Sequence, residues 1–312
     1  MKLPDPRNSN ILIYINGVLL PREEAKISVF DSAVQGGDAV WEGLRVYKGR
    51  IAAFTNHLIR LQNSAKTLAF KSIPSSDDIR KAIFLTLEAN GMWDETHIRL
   101  TLTRGEKITS GMNPKLNQLG CTLIVLAEWK PPVYSNSGIR VITSSIRRNS
   151  PQHLDSKIHH NNLLNNILAV IEANTANVDS AVMLDVHGFI SETNDTNIFL
   201  VSDNQILTPT TDSCLPGLTR QTILEIAAKE GIITHEKNLS NTDLYSADEV
   251  FTSGTIGEIT PVLEADGRKI GDGKAGSMTK RIQKLYSAYA YENGEPIPFK
   301  KPLKKGSKIK FK

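Results

Sequence analysis

The chain has 312 residues, 40% of them hydrophobic and 22% charged, with a formal net charge of +4. This length and apolar content suffice for a large buried core and predict a globular protein of two domains. Much of the positive excess comes from lysines after residue 299, so the charge excludes a nucleic-acid footprint spread over the body of the chain.

The first ten residues carry prolines and charges rather than an apolar signal core, and no apolar run has the length of a membrane span. The two cysteines, Cys121 and Cys214, cannot make a disulfide framework and indicate a reducing compartment. We therefore expect a cytoplasmic protein that contacts neither membrane nor nucleic acid. Residues 296–312 are expected to form a solvated basic tail.

Residues 1–130 are predicted to form an N-terminal α/β domain that opens with a hairpin at Asn16-Gly17. The predicted strands cover residues 11–15, 18–20, 39–47, 51–54, 97–104 and 120–129. The predicted helices cover 56–69 and 77–90, the second capped by Ser76 or Asp77 and ended by Gly91. Strand 97–104 alternates, so His97 and Arg99 should share one face while apolar residues occupy the other.

Residues 131–138 are predicted to be an interdomain linker, because two prolines stiffen the stretch and Ser-Asn-Ser-Gly offers no apolar pattern to bury. The C-terminal domain is then residues 139–295. Its predicted strands cover 139–143, 180–184, 189–190, 197–201 and 205–208, and its predicted helices cover 161–174 and 220–230. Strands and helices segregate in the N-terminal part, which indicates the α+β class rather than a doubly wound sheet.

Two turns in the C-terminal domain suit a phosphate. Gly217, Leu218 and Thr219 lead into a helix, whose first amide N–H groups are unpaired and lie at the positive end of the helix dipole. A second turn, residues 252–257, is rich in hydroxyl groups and glycine. Each signal is weak alone, and the pair strengthens the prediction of a phosphate site.

Other classes of site are excluded. The stretch 271–276 matches a dinucleotide fingerprint in form, but no βαβ unit surrounds it, so we interpret it as the loop before the last helix. There is no Walker motif, no Gly-x-Ser-x-Gly elbow and no cysteine pair with zinc spacing. The adjacent His159 and His160 point in different directions, which favours packing or loop contacts over a metal site.

Lys157 is isolated in the sequence, with no other lysine between Lys130 and Lys229. A catalytic amine must be desolvated enough to be partly neutral near pH 7, and neighbouring ammonium groups are usually absent. Spacing alone nevertheless favours an ordinary surface lysine at a helix start. The motifs that follow it shift the interpretation towards catalysis.

Six motifs together give the chain a family resemblance over residues 11–290. They are, in chain order, Val40-Trp41-Glu42-Gly43-Leu44-Arg45-Val46-Tyr47, His57-Leu58-Ile59-Arg60-Leu61, Lys157 with Asn161 and Leu163, Gly188-Phe189-Ile190-Ser191-Glu192-Thr193-Asn194, Leu215-Pro216-Gly217-Leu218-Thr219-Arg220 and Ser253-Gly254-Thr255-Ile256-Gly257-Glu258. Their order and spacing resemble the fold type IV, or class IV, pyridoxal-phosphate-dependent aminotransferases. The closest branch is the branched-chain amino acid aminotransferases.

This resemblance implies a smaller N-terminal domain and a larger C-terminal pseudo-barrel, with pyridoxal 5′-phosphate between them, in a homodimer or larger homo-oligomer. It implies that Lys157 holds the cofactor as an imine and moves the proton, while Glu192 faces the pyridine nitrogen. The residues it implies for the cofactor phosphate are Arg60, Thr219, Thr255 and the amides of Leu218 and Ile256.

The sequence also departs from the branched-chain pattern. Asn162 stands where those enzymes usually have a tyrosine that meets the phenolic oxygen of the cofactor, and Gly36 replaces another tyrosine. Trp41, His97 and Arg99 are the residues expected to line the substrate pocket, with Arg99 able to bind a carboxylate. A structural ion pair is the other interpretation of Arg99.

The expected reaction is amino-group transfer between a branched-chain L-amino acid and 2-oxoglutarate. Three alternatives stay open on the sequence. The protein could be a D-amino acid or (R)-amine aminotransferase, an aminodeoxychorismate lyase of the same fold, or a non-catalytic interaction protein that kept the fold. No metal is expected in any of these.

Overall fold

A computed structural model describes residues 3–134 and 137–300, in which the strands form two sheets. The elements of the N-terminal part are β1 (Leu12–Ile15), β2 (Val18–Pro21), α1 (Ser32–Gly36), β3 (Ala39–Tyr47), β4 (Arg50–Ile51), α2 (Phe54–Thr67), α3 (Ser76–Asn90), β5 (Thr96–Thr103) and β6 (Thr122–Trp129). A 3₁₀ helix at Pro6–Asn10 precedes β1, and a second one at Pro114–Leu116 lies between β5 and β6.

The second sheet is built after the linker. The elements that follow the linker are β7 (Ile139–Thr143), α4 (Leu164–Thr175), β8 (Ser180–Leu184), β9 (Ile190–Thr193), β10 (Asn197–Ser202), β11 (Gln205–Thr208), α5 (Leu218–Lys229), β12 (Thr234–Glu236), α6 (Asn241–Ser246), β13 (Glu249–Gly254), β14 (Glu258–Ala265), β15 (Arg268–Lys269), α7 (Ser277–Asn293) and β16 (Glu295–Pro296), and all of these strands except β16 belong to the second sheet. The stretch 271–276 is the loop before the last helix, as predicted.

The first sheet is antiparallel and has the strand order β16-β4-β3-β5-β6-β1-β2. The second has the order β12-β11-β10-β13-β14-β7-β8-β9 and mixes parallel with antiparallel pairs. One sheet is wholly antiparallel and the other is mixed, so neither is a doubly wound parallel sheet, and the α+β class is confirmed.

Alternate residues of β5 point into the hydrophobic core of the first sheet. Ile98, Leu100 and Leu102 are fully buried and pack with the apolar faces of α2 and α3, so the predicted two-residue period is confirmed. Gly91 ends α3 with a φ of +65°, also as predicted. The predicted cap was wrong by one residue, because it is Ser75 whose hydroxyl accepts the amide N–H of Asp78.

Other predicted boundaries differ from the structure where long-range packing decides them. The predicted strand 51–54 stops at Ile51, because Ala53 turns the chain with a φ of +48° and the buried Phe54 opens α2. The strand pair predicted around residues 191–194 is also different. There β9 pairs with β8 in the sheet, whereas β10 pairs with β11 and β13.

The chain returns to the first sheet at its end, where β16 pairs with β4. Ile297 and Phe299 then pack on the first core, so the start of the predicted basic tail is not solvated. Residues 301–312 of that tail and residues 135–136 of the linker lie outside the described residues.

Helix α4 packs through its smallest residues. Ala169 and Ala173 are buried against β8, while the predicted apolar stripe of Leu164, Leu168 and Ile171 is about half exposed. Small side chains let the helix approach the sheet closely, which leaves the larger ones facing outward.

Candidate active site

An open cavity is lined by residues of both sheets. The lining residues are Trp41, Gly43, Arg60, Val133, His159, Glu192, Asp195, Thr196, Asn197, Leu215, Gly217, Leu218, Thr219, Ser253, Gly254, Thr255, Ile256 and Gly257. A second cavity, lined in addition by Arg99 and Arg148, shares Trp41, His159 and Glu192 with the first, so the two adjoin.

One wall of the first cavity is the start of α5. This helix begins after Gly217 without a side-chain cap, so the amides of Leu218 and Thr219 lie at the positive end of its dipole. A Cβ at Gly217 would lie 2.0 Å from Asn197 Oδ1, and therefore only glycine allows this close approach. The arrangement suits an anion.

The turn between β13 and β14 supplies further polar groups. Thr255 and Ile256 line the cavity together with Ser253, whose buried hydroxyl has no hydrogen-bond partner among the described residues. A buried hydroxyl without a partner is costly, and a bound ligand atom would satisfy it. Both phosphate-suited turns predicted from the sequence thus meet in one cavity.

Arg60 is held at the cavity by a buried carboxylate. Glu42 is fully buried and accepts hydrogen bonds from Nε and Nη2 of Arg60 at 2.8 and 2.7 Å, and His57 Nδ1 lies 2.7 Å from it. Burial alone would raise the pKa of Glu42, but Arg60 and His159 hold it well below its usual range. The motif analysis included Glu42 without giving it this role.

Glu192 is a buried carboxylate that lines both cavities. Its Oε1 accepts a hydrogen bond from Nε of Arg148 at 2.7 Å, and its Oε2 accepts one from the Asn197 amide at 3.2 Å. Burial raises the pKa of Glu192, and the Arg148 guanidinium opposes this rise. Arg148 was missed in the sequence analysis because nothing in its local sequence indicates a buried partner.

Asp195 is another acid at the cavity that sequence reasoning missed. Both of its carboxylate oxygens accept the Tyr134 hydroxyl, at 2.8 and 2.7 Å. Tyr134 lies in the linker, so this contact ties the linker to the cavity wall.

Arg99 lies over the ring of Trp41, 3.5 Å from its centroid, and donates to Asn161 Oδ1 at 2.6 Å. Among the described residues no carboxylate forms an ion pair with it, so the structural-pair interpretation is not supported. Burial lowers the pKa of Arg99 to about 10, which leaves it charged at pH 7. The guanidinium is therefore available to a carboxylate ligand.

His97 lies behind the cavity wall. Its Nε2 is buried without a partner among the described residues, 3.5 Å from where a Cβ on Gly43 would lie, and Gly43 itself lines the cavity. Burial and the cations Lys130, Arg45 and Arg99 lower the pKa of His97 to about 3. It is not one of the residues that line either cavity.

Lys157 lies elsewhere than predicted. It is exposed in a turn, its amide N–H donates to Asp155 Oδ1 at 3.0 Å, and it lines neither cavity. This placement does not support the predicted catalytic role. Asn162 also lines neither cavity and lies against Gly37 instead.

His159, two residues after Lys157, enters the cavity in its place. Its ring lies on Trp41 with the centroids 4.2 Å apart, and its Nδ1 is 3.2 Å from Glu42 Oε1. Burial lowers the pKa of His159 to about 4, so the imidazole is neutral at pH 7. The sequence analysis predicted packing or loop contacts for this histidine and did not predict that it lines the cavity.

A model of the family described as amino-transferase class IV matches residues 39–265. The chain belongs to this family. Members of the class IV family are aminotransferases, which are transferases. The resemblance found in the motifs is therefore confirmed.

Three relatives illustrate how similar this class IV chain is to known proteins. Branched-chain-amino-acid aminotransferase-like protein 2 of Arabidopsis thaliana is 58% identical, over 95% of this chain and 53% of its own length. The Escherichia coli branched-chain amino acid aminotransferase superposes with a TM-score of 0.85 at 32% identity, covering 92% and 96% of the two chains. The T.th. branched-chain amino acid aminotransferase, complexed with N-(5′-phosphopyridoxyl)-L-glutamate, gives a TM-score of 0.85 at 34% identity, covering 91% and 95%.

The two solved structures confirm the fold type IV architecture for this family member. The chain spans about half the length of the Arabidopsis relatives that it matches. In the part of the chain that the structure describes, no helix is long and apolar enough to cross a membrane, and no group of three or more His, Cys, Asp or Glu could hold a metal ion.

Proposed function

We propose that the cavity binds pyridoxal 5′-phosphate and, beside it, a small amino or keto acid, as the recognition site of amino-group transfer. The observation that carries this proposal is the convergence of an uncapped helix start, a hydroxyl-rich turn and a buried carboxylate on one cavity. When bound, this cofactor supplies an electron sink for carbanion chemistry at the substrate Cα.

The phosphate end of the cofactor fits the chain well. The amides of Leu218 and Thr219 would bind phosphate oxygens, and Thr219, Ser253 and Thr255 would add hydroxyl donors. Arg60 supplies positive charge at the same cavity, where Glu42 keeps its guanidinium in place.

The ring end fits as well. One carboxylate oxygen of Glu192 accepts a hydrogen bond from Arg148, and the other accepts one only from the neutral side-chain amide of Asn197. The second oxygen can therefore still accept a hydrogen bond from the N–H of a pyridinium ring. At the aldehyde end of the cofactor the chain offers no side chain for a covalent bond, because no lysine is among the described residues that line the two cavities.

For the substrates we propose branched-chain L-amino acids and 2-oxoglutarate. Trp41 and Leu215 offer apolar surface where the two cavities meet, and Arg99 offers a planar guanidinium free of ion pairs among the described residues. An apolar wall beside one cation suits both a branched side chain and the carboxylates of the keto acid. The T.th. relative was solved with a phosphopyridoxyl group joined to glutamate, which supports this pair.

We also propose a homodimer or larger homo-oligomer in the cytoplasm. The support for assembly is the exposed stripe on α4 formed by Leu164, Ile167, Leu168 and Ile171, each 48–65% exposed. Apolar patches of this kind on one helix face usually mark an interface.

Cofactor binding is tested by equilibrium dialysis of the purified chain against pyridoxal 5′-phosphate. Thr219→Val should weaken binding by about 10-fold, because it removes one hydrogen bond to a charged group. Gln221→Ala is the matched control, since Gln221 is exposed on the same helix and does not line the cavity. Absence of binding by the parent would refute the proposal.

Substrate recognition is tested by following the spectrum of bound cofactor as each amino or keto acid is added. Arg99→Ala should weaken the binding of 2-oxoglutarate by about 10-fold or more and the binding of leucine by less, because the keto acid carries a second carboxylate. A response to D-alanine or (R)-1-phenylethylamine but not to L-leucine would contradict the substrate assignment. Pyruvate release without an acceptor would indicate the lyase.

A further inference from the structure

A lysine that holds an aldehyde as an imine must place its amine inside the cavity. The residues on either side of Lys157, Ser156 and Ile158, line the second cavity, whereas Lys157 itself faces solvent. The turn that sets this direction is held by two bonds to Asp155, one from the Lys157 amide at 3.0 Å and one from the Ile158 amide at 3.0 Å. To bring the ammonium group inward, this turn would have to open.

The backbone after the turn is also fixed. The Trp41 amide donates to His159 O at 2.9 Å, and the Asn161 amide donates to Ala39 O at 2.7 Å, so residues 159–161 extend the pairing of β3. The His159 amide donates to Ser64 Oγ at 3.1 Å. These bonds from β3 and α2 determine which residue enters the cavity, and it is His159.

An imidazole cannot do what the lysine would do. Condensation with an aldehyde to an imine needs a primary amine, and imidazole has none. His159 is further occupied by its neighbours, since its Nδ1 lies 3.2 Å from Glu42 Oε1 and 3.4 Å from Arg60 Nη2. It thereby joins the group that holds Arg60 at the proposed phosphate site.

We propose that this chain holds its cofactor without a covalent bond, with His159 occupying the place of the anchoring amine. The inference rests on the proposed cofactor binding. Retention would then depend on the start of α5, on the turn after β13 and on Glu192. His159 acts here as a positioning residue for Glu42 and Arg60.

The test uses the full chain loaded with pyridoxal 5′-phosphate, freed of excess cofactor by ultrafiltration, reduced with sodium borohydride and analysed by mass spectrometry with peptide mapping. We expect the parent and Lys157→Ala to retain equal amounts of cofactor before reduction. After reduction, neither should carry a phosphopyridoxyl group at a stoichiometric level. One group per chain on Lys157, lost in Lys157→Ala, would overturn the inference while leaving the proposed binding intact.

His159→Lys tests the position directly, because it places a primary amine in the cavity. We expect this variant to gain one reducible group per chain at residue 159. If it retains as much cofactor as the parent but gains no group there, His159 does not occupy the anchoring position. Should the variant fail to fold, the comparison of the parent with Lys157→Ala decides alone. A parent that retains no cofactor overturns the proposed function, and this inference with it.

Discussion

Replacing Glu42 with glutamine should destabilise the protein by about 3 kcal/mol. Glu42 is fully buried and receives two bonds from Arg60 and one contact from His57, so the substitution leaves a guanidinium without its carboxylate. Breaking a buried ion pair by removing one partner costs about 3–5 kcal/mol. The Arg60 side chain is 14% exposed, so water relieves part of this cost and we expect the lower end.

Urea denaturation followed by circular dichroism measures the effect. In the double variant Glu42→Gln/Arg60→Gln the loss should be smaller than the sum of the single losses by about 1–3 kcal/mol, because the pair is removed together. Glu88→Gln on the exposed face of α3 is the matched control and should change stability by less than about 0.5 kcal/mol. A loss below about 1 kcal/mol for Glu42→Gln, or strict additivity in the cycle, would refute the reasoning.

Gly217→Ala should cost about 1–3 kcal/mol in urea unfolding, because its Cβ meets Asn197 Oδ1, whereas Gly36→Ala meets nothing within 4 Å and should be neutral. Burial lowers the pKa of His159 to about 4, so below pH 6.5 the unfolded chain binds a proton that the folded chain does not. The contribution of His159 to the free energy of unfolding is therefore complete above pH 6.5 and is lost as the pH falls. Between about pH 6 and 4.5, His159→Gln should therefore flatten the stability profile by about 1.4 kcal/mol per pH unit, and an unchanged slope in melting experiments would count against burial. Leu168→Asp should shift the protein to monomers in light scattering if the α4 stripe is the interface; an unchanged mass excludes that face.

Much of this protein could be predicted from local sequence alone. The bounds of β3, β7, β8 and β11 were correct because a short apolar run and the turns that flank it are short-range signals. The start of α5 was predicted to suit a phosphate for the same reason, since a glycine turn and an uncapped helix start are both local. The motif order was enough to identify the family.

What the sequence could not decide is which residue of a short segment faces the cavity. The isolation of Lys157 and the motifs after it are consistent with a catalytic amine, yet the side chain that enters is that of His159. Likewise, nothing near Glu42 in the sequence indicates that Arg60 and His159 would meet it.

The physical reason is that the direction of a side chain in an irregular segment is set by its backbone partners. Here those partners are β3 and α2, about a hundred residues earlier in the chain, and the turn at Asp155 ends the alternation that would otherwise relate residue 157 to residue 159. Local pattern therefore determined the family, most elements and the phosphate-suited turns. Only the pairing of distant segments decided that an imidazole, and not an ammonium group, lines the cavity.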